Sequence, residues 1–214
     1  MIKALIFDFD GVIMNSDPFH YSSWKYILKK YFNKKFNISD YNLIKGIGRE
    51  MALSKLIKLY NVKSLNNKLK DEILIQKNII FLKLIENINK DNLIPGVEEF
   101  ILRNKSNYMI ALASASKNAA LISKKIGINP LFDIIIDAND TINKKPNPEV
   151  FLKCCSELKV ETKNCIVFED SINGVKASKN GGFLTCGVGN IEIIDYVDYY
   201  ISNFLDFNLN DINS

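Results

Sequence analysis

Five apolar runs, each ending abruptly in polar residues, constrain this chain more than any other feature. They are Lys3–Phe7 before Asp8, Tyr108–Ala113 before Ser114, Ile134–Ile136 before Asp137, Cys165–Phe168 before Glu169, and Leu184–Val188 before Gly189. A run that is apolar throughout, rather than alternating, belongs to a strand covered on both faces. Helical patterns separate the later runs, at Val97–Lys105, Asn118–Ile126, Pro148–Leu158 and Ile172–Asn180. Pro148 stands near a helix start, where its missing N–H costs nothing. Gly127 and Gly181 stand where helices should stop. Strand and helix in alternation predict a parallel, doubly wound α/β sheet with right-handed crossovers.

One segment breaks that rhythm. From about Asp17 to Asn92 the chain reads as helices with no strand among them. Asp17-Pro18 makes an N-cap and first-turn proline, while Leu53, Leu56, Ile57 and Tyr60 recur at helical spacing and Ile73–Ile85 is strongly helical. The expected organisation is a Rossmann-like core of residues 1–15 and 93–214 carrying an inserted helical cap of residues 16–92. Its two crossings, near Met14–Asp17 and Lys90–Pro95, should act as hinges.

Composition narrows the function. With 47% hydrophobic and 24% charged residues, 214 residues can bury a sizeable core. The net charge of +4, with no long run of one sign, is too weak and scattered for a dedicated nucleic-acid or membrane binder, yet it suits anionic small molecules. Lysine interrupts every apolar stretch before the ~18 residues of a membrane span. The N-terminal run is broken by Asp8, against the pattern of a signal peptide. The four cysteines lack CxxC spacing, and a chain of this size needs no disulfides, so a reduced cytoplasm is expected. Nothing in the sequence demands more than a monomer.

In open parallel sheets, ligands gather outside the carboxyl ends of the strands. Asp8, Asp10, Ser114 and the pair Glu169-Asp170 are expected there. Any one of these acids alone is as readily a helix cap. Four carboxylates converging in one crevice would repel strongly without a cation, and hard oxygen ligands with room for water suit Mg²⁺.

The stretch Phe7-Asp8-Phe9-Asp10-Gly11-Val12-Ile13 resembles the DxDG signature of the haloacid dehalogenase superfamily of phosphoryl-transfer enzymes. The later motifs of that superfamily appear in order: Ser114 after a strand, Lys145 in Lys144-Lys145-Pro146, and Glu169-Asp170-Ser171 after another strand. The resemblance spans the chain, inserted cap included, and implies a role for each residue type. A carboxylate at Asp8 is already ionised at neutral pH and can attack phosphorus without a base to activate it. Asp10 would serve as general acid and base. Mg²⁺ would be held by the Asp8 side chain, the Asp10 carbonyl and the carboxylates of Glu169 and Asp170. Lys145 and the Ser114 hydroxyl, with the Ala115 amide, would hold the oxygens of the transferring group.

Further stretches are similar to the phosphosugar mutases of that superfamily. One is Leu112-Ala113-Ser114-Ala115-Ser116-Lys117-Asn118; another is the cap loop Leu43-Ile44-Lys45-Gly46-Ile47-Gly48-Arg49-Glu50. His20, Trp24 and Lys77-Asn78 also fall at matching places. The likeness implies interconversion of β-glucose 1-phosphate and glucose 6-phosphate through a bound bisphosphate. Lys45, Gly46, Ile47, Gly48, Trp24 and Lys77 would then contact substrate. Arg49, with Ser116, Lys117 and Asn118, would hold a distal, non-transferring phosphate. His20 would couple cap closure to Asp10. A phosphatase of small sugar or polyol phosphates is the alternative that the same core residues allow.

Two departures from the mutase pattern stand out. Met51-Ala52 comes after Arg49-Glu50 where that pattern carries polar residues, and Met14-Asn15-Ser16 replaces a stretch rich in threonine and aspartate. Cys154-Cys155 is expected to pack within its helix. The aromatic tail Tyr196–Phe207 should supply a last strand and a docking helix.

Overall fold

The computed structural model describes residues 1–63 and 65–209, so the end of the expected core, 210–214, lies outside the described residues. Six strands, β1 (Ala4–Asp8), β2 (Met109–Ala113), β3 (Ile134–Ile136), β4 (Cys165–Glu169), β5 (Leu184–Val188) and β6 (Tyr199–Ile201), form one sheet in the order β3-β2-β1-β4-β5-β6. Every pairing is parallel. Helices α5 (Val97–Asn104), α6 (Ala119–Lys125), α7 (Glu149–Leu158) and α8 (Ile172–Asn180) supply the crossovers. Between β1 and α5 come α1 (Asp17–Phe32), α2 (Ile38–Asn42), α3 (Arg49–Leu59) and α4 (Asn67–Leu84).

The strands are apolar throughout because both faces are covered. Leu5, Phe7, Ile110, Leu112, Ile166 and Phe168 point to one face, packing on Val97, Phe100 and Ile101 of α5 and Ile122 of α6. Ala4, Ile6, Ala111, Ala113 and Val167 point to the other, under Val150, Phe151 and Cys154 of α7 and Ala177 of α8. Large rings fill the first face: Phe7 stacks on Phe168 with centroids 4.7 Å apart and planes 8° from parallel. Each such buried ring removes apolar area worth about 1.5–3 kcal/mol. All four cysteines are free thiols in the interior.

The expectation of a docking helix in the tail is corrected. From Ser202 to Asn208 the chain turns rather than forming a helix, and it docks through Phe204, wholly buried between Phe7, Phe100 and Phe168. Burying an aromatic ring anchors a segment as well as a helix does, and a sequence pattern cannot tell the two apart.

A third hydrophobic cluster lies entirely within the inserted segment, built from Trp24, Ile27 and Leu28 of α1, Leu53 and Leu56 of α3, and Ile73 of α4. The two crossings run side by side: Met14 bridges Leu93 antiparallel, Asn15 N–H donates to the Asn92 carbonyl, and Ile94 N–H donates to that of Ile13. The expected N-cap of α1 is also corrected. Ser16 holds that position, without a side-chain capping bond, and Asp17 is already helical. The Asp17 carboxylate is drawn away by stronger partners, the Tyr41 hydroxyl and the Lys45 ammonium. Among the described residues no helix is long and apolar enough to cross a membrane.

Candidate active site

Parallel register assembles the site. Asp8 pairs with Ala113, and Phe7 with Phe168, so Asp8, Ser114 and Glu169 finish their strands at one level. Beyond β1 the chain doubles back: Ile13 and Met14 N–H both donate to the Phe9 carbonyl, and Gly11 N–H donates to that of Met14. Gly11 makes this turn at φ +89°, and a Cβ there would sit 1.8 Å from Asp170 Oδ2. Only glycine satisfies both demands.

Lys145 is the hub of the buried charges. Its side chain is 1% exposed, and its ammonium lies 2.5 Å from Asp8 Oδ1 and contacts Glu169 Oε1. Asp8 and Glu169 hold the lysine above the ordinary value although burial opposes its charge. Burial pushes the Asp8 carboxyl well up, against the pull of Lys145, and Glu169 and Asp10 push the same way. Glu169 is saturated: its Oε2 accepts from the Asp170 and Ser171 N–H groups and from the Ser171 hydroxyl. That hydroxyl also caps α8 by accepting from Gly174 N–H.

Three carboxylates converge here, not four. Oxygens of Asp8, Glu169 and Asp170 lie within 4.8 Å of one another. The Asp10 carboxylate faces the inserted segment instead, taking the Ser16 hydroxyl and standing 3.3 Å from His20 Nε2. Burial opposes its ionisation, yet His20, Ser16 and Lys77 together hold it below the usual value. The expected repulsion is offset by two lysines, since Lys45 lies 2.5 Å from Asp170 Oδ2. Burial nevertheless raises Asp170 to about 7, with Lys45 opposing. A buried, all-oxygen, net-acidic cluster fits a hard divalent ion such as Mg²⁺. Asp8 and Asp170 are better placed to hold it than Glu169, whose two oxygens are engaged.

His20 stacks on Phe81 with centroids 4.2 Å apart. Lys77 donates to His20 Nδ1 at 2.8 Å, which assigns the imidazole proton to Nε2, facing Asp10. Lys77 is buried, its ammonium 4.6 Å from the Phe81 ring centroid and 5.6 Å from that of Trp24. Burial, and then Arg49, lower Lys77 to about 7. Burial and Lys77 also lower His20, against Asp10.

A cleft of about 750 Å³ of free space, open mouth included, lies between the sheet edge and the inserted helices. Of the residues singled out from sequence, Asp8, Asp10, Asp170, His20, Trp24, Lys45, Gly46, Gly48, Arg49, Lys77, Ala115, Ser116, Lys117 and Asn118 line it. Ser114, Lys145 and Glu169 are buried behind that wall, and Ser114 Oγ accepts from Ser116 N–H. Ile47 is not brought to the cleft; it packs inside the helical cluster beside Leu53 and Ile73. Ile44, Glu50 and Ala52, from the cap-loop stretch and its Met51-Ala52 departure, also line the cleft, and so do Tyr41 and Asp17, to which the sequence assigned no site role. No local pattern points to Tyr41 and Asp17, because they pair with each other across 24 residues. Several bonds close the cleft: Lys117–Glu50 at 2.8 Å, Asn118–Asn78 at 2.9 Å, and Asn173 Nδ2 to the Lys45 carbonyl at 3.2 Å.

A buried aspartate at the end of a central strand, braced by a lysine beside an acidic cluster, fits on this fold an α/β phosphoryl-transfer enzyme. The sequence matches the haloacid dehalogenase-like hydrolase family over residues 2–182. The chain belongs to that family. It is 32% identical over 190 residues to β-phosphoglucomutase of Bacillus subtilis, covering 88% of this chain and 84% of the relative. It is 27% identical over 184 residues to a phosphorylated carbohydrates phosphatase of Thermotoga maritima, covering 85% and 82%. A crystal structure of β-phosphoglucomutase from Clostridium difficile superposes with a TM-score of 0.94 at 32% identity, covering 100% of this chain and 96% of that one.

Proposed function

We propose that this enzyme is a phosphosugar mutase that interconverts β-D-glucose 1-phosphate and glucose 6-phosphate through an aspartyl phosphate on Asp8 and β-glucose 1,6-bisphosphate. One observation carries the reading: a second set of nitrogen and hydroxyl donors, Arg49, Lys77, Ser116, Lys117 and Asn118, lines the same cleft as Asp8. A mutase must hold one phosphate while the other reacts, so it needs two anion sites. A phosphatase needs one.

In this cycle the sugar 6-hydroxyl attacks the phosphorus of phospho-Asp8, and Asp10 takes the hydroxyl proton as the acyl–phosphate bond breaks. After the bisphosphate turns over, Asp8 attacks the 1-phosphoryl group and Asp10 returns a proton to the departing oxygen. Lys145, Ser114 and the Ala115 amide offset charge on the transferring oxygens. Asp8 and Asp170, with the Asp10 carbonyl, would hold Mg²⁺, whose charge would lower the repulsion between carboxylate and phosphate, while Glu169 adds negative charge beside them and holds Lys145 in place. The His20–Asp10 bond ties the general acid to α1, so residues 16–92 act as a cap whose closure readies Asp10 and excludes water.

A second reading, hydrolysis of small sugar or polyol phosphates, draws support from Met51-Ala52. Ala52 brings no hydrogen-bonding group to the cleft wall. The two readings separate when the protein is incubated with Mg²⁺, β-glucose 1-phosphate and a trace of bisphosphate. The mutase yields glucose 6-phosphate with little free phosphate and ignores the α anomer. Free phosphate released from many sugar phosphates overturns that reading in favour of the hydrolase. Asp8→Asn abolishes either activity. Arg49→Ala slows isomerisation about 100-fold or more, as expected from loss of a charge-assisted bond of ~3 kcal/mol, while hydrolysis of small esters changes little.

A further inference from the structure

The loop between α2 and α3 sends a lysine into the acidic cluster. Lys45 Nζ lies 2.5 Å from Asp170 Oδ2 and 2.6 Å from Asp17 Oδ2. Asp17 is itself oriented by the Tyr41 hydroxyl, 2.7 Å from its Oδ1. The Lys45 side chain is only 18% exposed, and its carbonyl takes a bond from Asn173 on α8. Lys145 pairs with both Asp8 and Glu169 from within the core, offsetting one of their two charges. Lys45 neutralises the remaining member of the trio, and it does so from the inserted segment.

We propose that Lys45 is a latch competing with the divalent ion for Asp170, so that metal uptake and docking of residues 43–48 oppose each other. This rests on the carboxylate trio binding Mg²⁺. The physical case is one of charge and geometry. An ammonium at hydrogen-bond distance from an Asp170 oxygen holds the electrostatic role there that the ion would take. Lys45 has a second carboxylate, Asp17, on its own side of the cleft to which it can retreat. Displacement therefore costs one ion pair and leaves no charge buried alone. By linkage the opposition is reciprocal: freeing Asp170 from Lys45 tightens metal binding, and bound metal loosens the Lys45–Asp170 contact. Lys45 is thus a positioning residue for the loop, not a contact of the reacting phosphate.

The test measures Mg²⁺ binding by calorimetry without substrate, in the wild type and in Lys45→Met. The variant should bind Mg²⁺ at least about tenfold more tightly, as expected from removing one cation a few ångströms from the site. Asp17→Asn, which removes the place of retreat, should weaken binding, and in the Lys45→Met background the same change should do little. Hydrogen exchange on the wild type needs no variant: amides of residues 43–48 should exchange faster when Mg²⁺ is added. If the wild type binds no Mg²⁺, the metal reading of the trio falls and the latch with it. If the wild type binds Mg²⁺ but Lys45→Met binds no tighter, or the loop's exchange ignores the ion, the latch alone is overturned.

Discussion

Glu169 is held by its surroundings so tightly that a neighbouring methyl group would dislodge it. A Cβ on Gly174 would lie 1.8 Å from Glu169 Oε1 and 1.9 Å from its carboxyl carbon. Gly174→Ala, favourable for a helix taken alone, should therefore cost on the order of 2–3 kcal/mol through overpacking. It should also depress activity by freeing Lys145 from one of its two carboxylates; urea unfolding and initial rates read the two effects separately. Lys77 makes a prediction in pH. Its folded value near 7 lies below the ~10.4 of an unfolded lysine, so between those limits the unfolded chain binds more protons. Stability must then rise with pH across that window, by at most about 1.4 kcal/mol per unit. Below pH 7 the full cost of the buried ammonium is present. Lys77→Met should remove this slope, which urea unfolding at pH 7, 8 and 9 would register as a gap between the two proteins that closes as pH rises.

The helix α4 joins two cores. Ile73 belongs to the cluster of the inserted segment, whereas Phe81, two turns on, belongs to the cluster beneath the sheet. Lys77 lies between them on the same buried stripe, at the i+4 spacing that aligns residues on one face. Ile73→Ala should leave a cavity and cost about 2–5 kcal/mol. Because the lost contacts lie away from the sheet, the loss should appear as faster hydrogen exchange in α1, α3 and α4, with β1 and β4 still protected. Uniform deprotection across the sheet would show that the inserted helices do not open on their own.

At the scale of the molecule, closure is held by weak bonds at the rim and strong ones within. The Lys117–Glu50 pair has side chains 43% and 49% exposed, and such pairs contribute ~0–1 kcal/mol. Glu50→Gln should thus leave global stability nearly unchanged. It should shift the closed-to-open ratio by up to about fivefold and raise phosphate release relative to isomer formed, measured in one reaction mixture. An unchanged partition would mean that the inner contacts, His20–Asp10 and Asn118–Asn78, alone govern exclusion of water.

Much of this protein is legible without any tertiary contact. Apolar runs announce strands covered on both faces, and parallel pairing aligns the residues at their carboxyl ends, so Asp8, Ser114 and Glu169 could be expected at one edge. The helical insert is legible for the same reason, since periodicity is a property of neighbours in sequence. The hidden features involve partners far apart in the chain. Asp17 reads as a helix cap until Tyr41 and Lys45 draw it away, and Ile47, in a loop expected to touch substrate, turns into the helical cluster. Asp10 lines the same cleft two residues from Asp8, yet its carboxylate pairs with His20 and Ser16 rather than joining the acidic cluster. Patterns along the chain report which face of an element is buried; only the folded arrangement decides which charges meet there, because buried ions pair with whatever counter-charge the packing brings within reach.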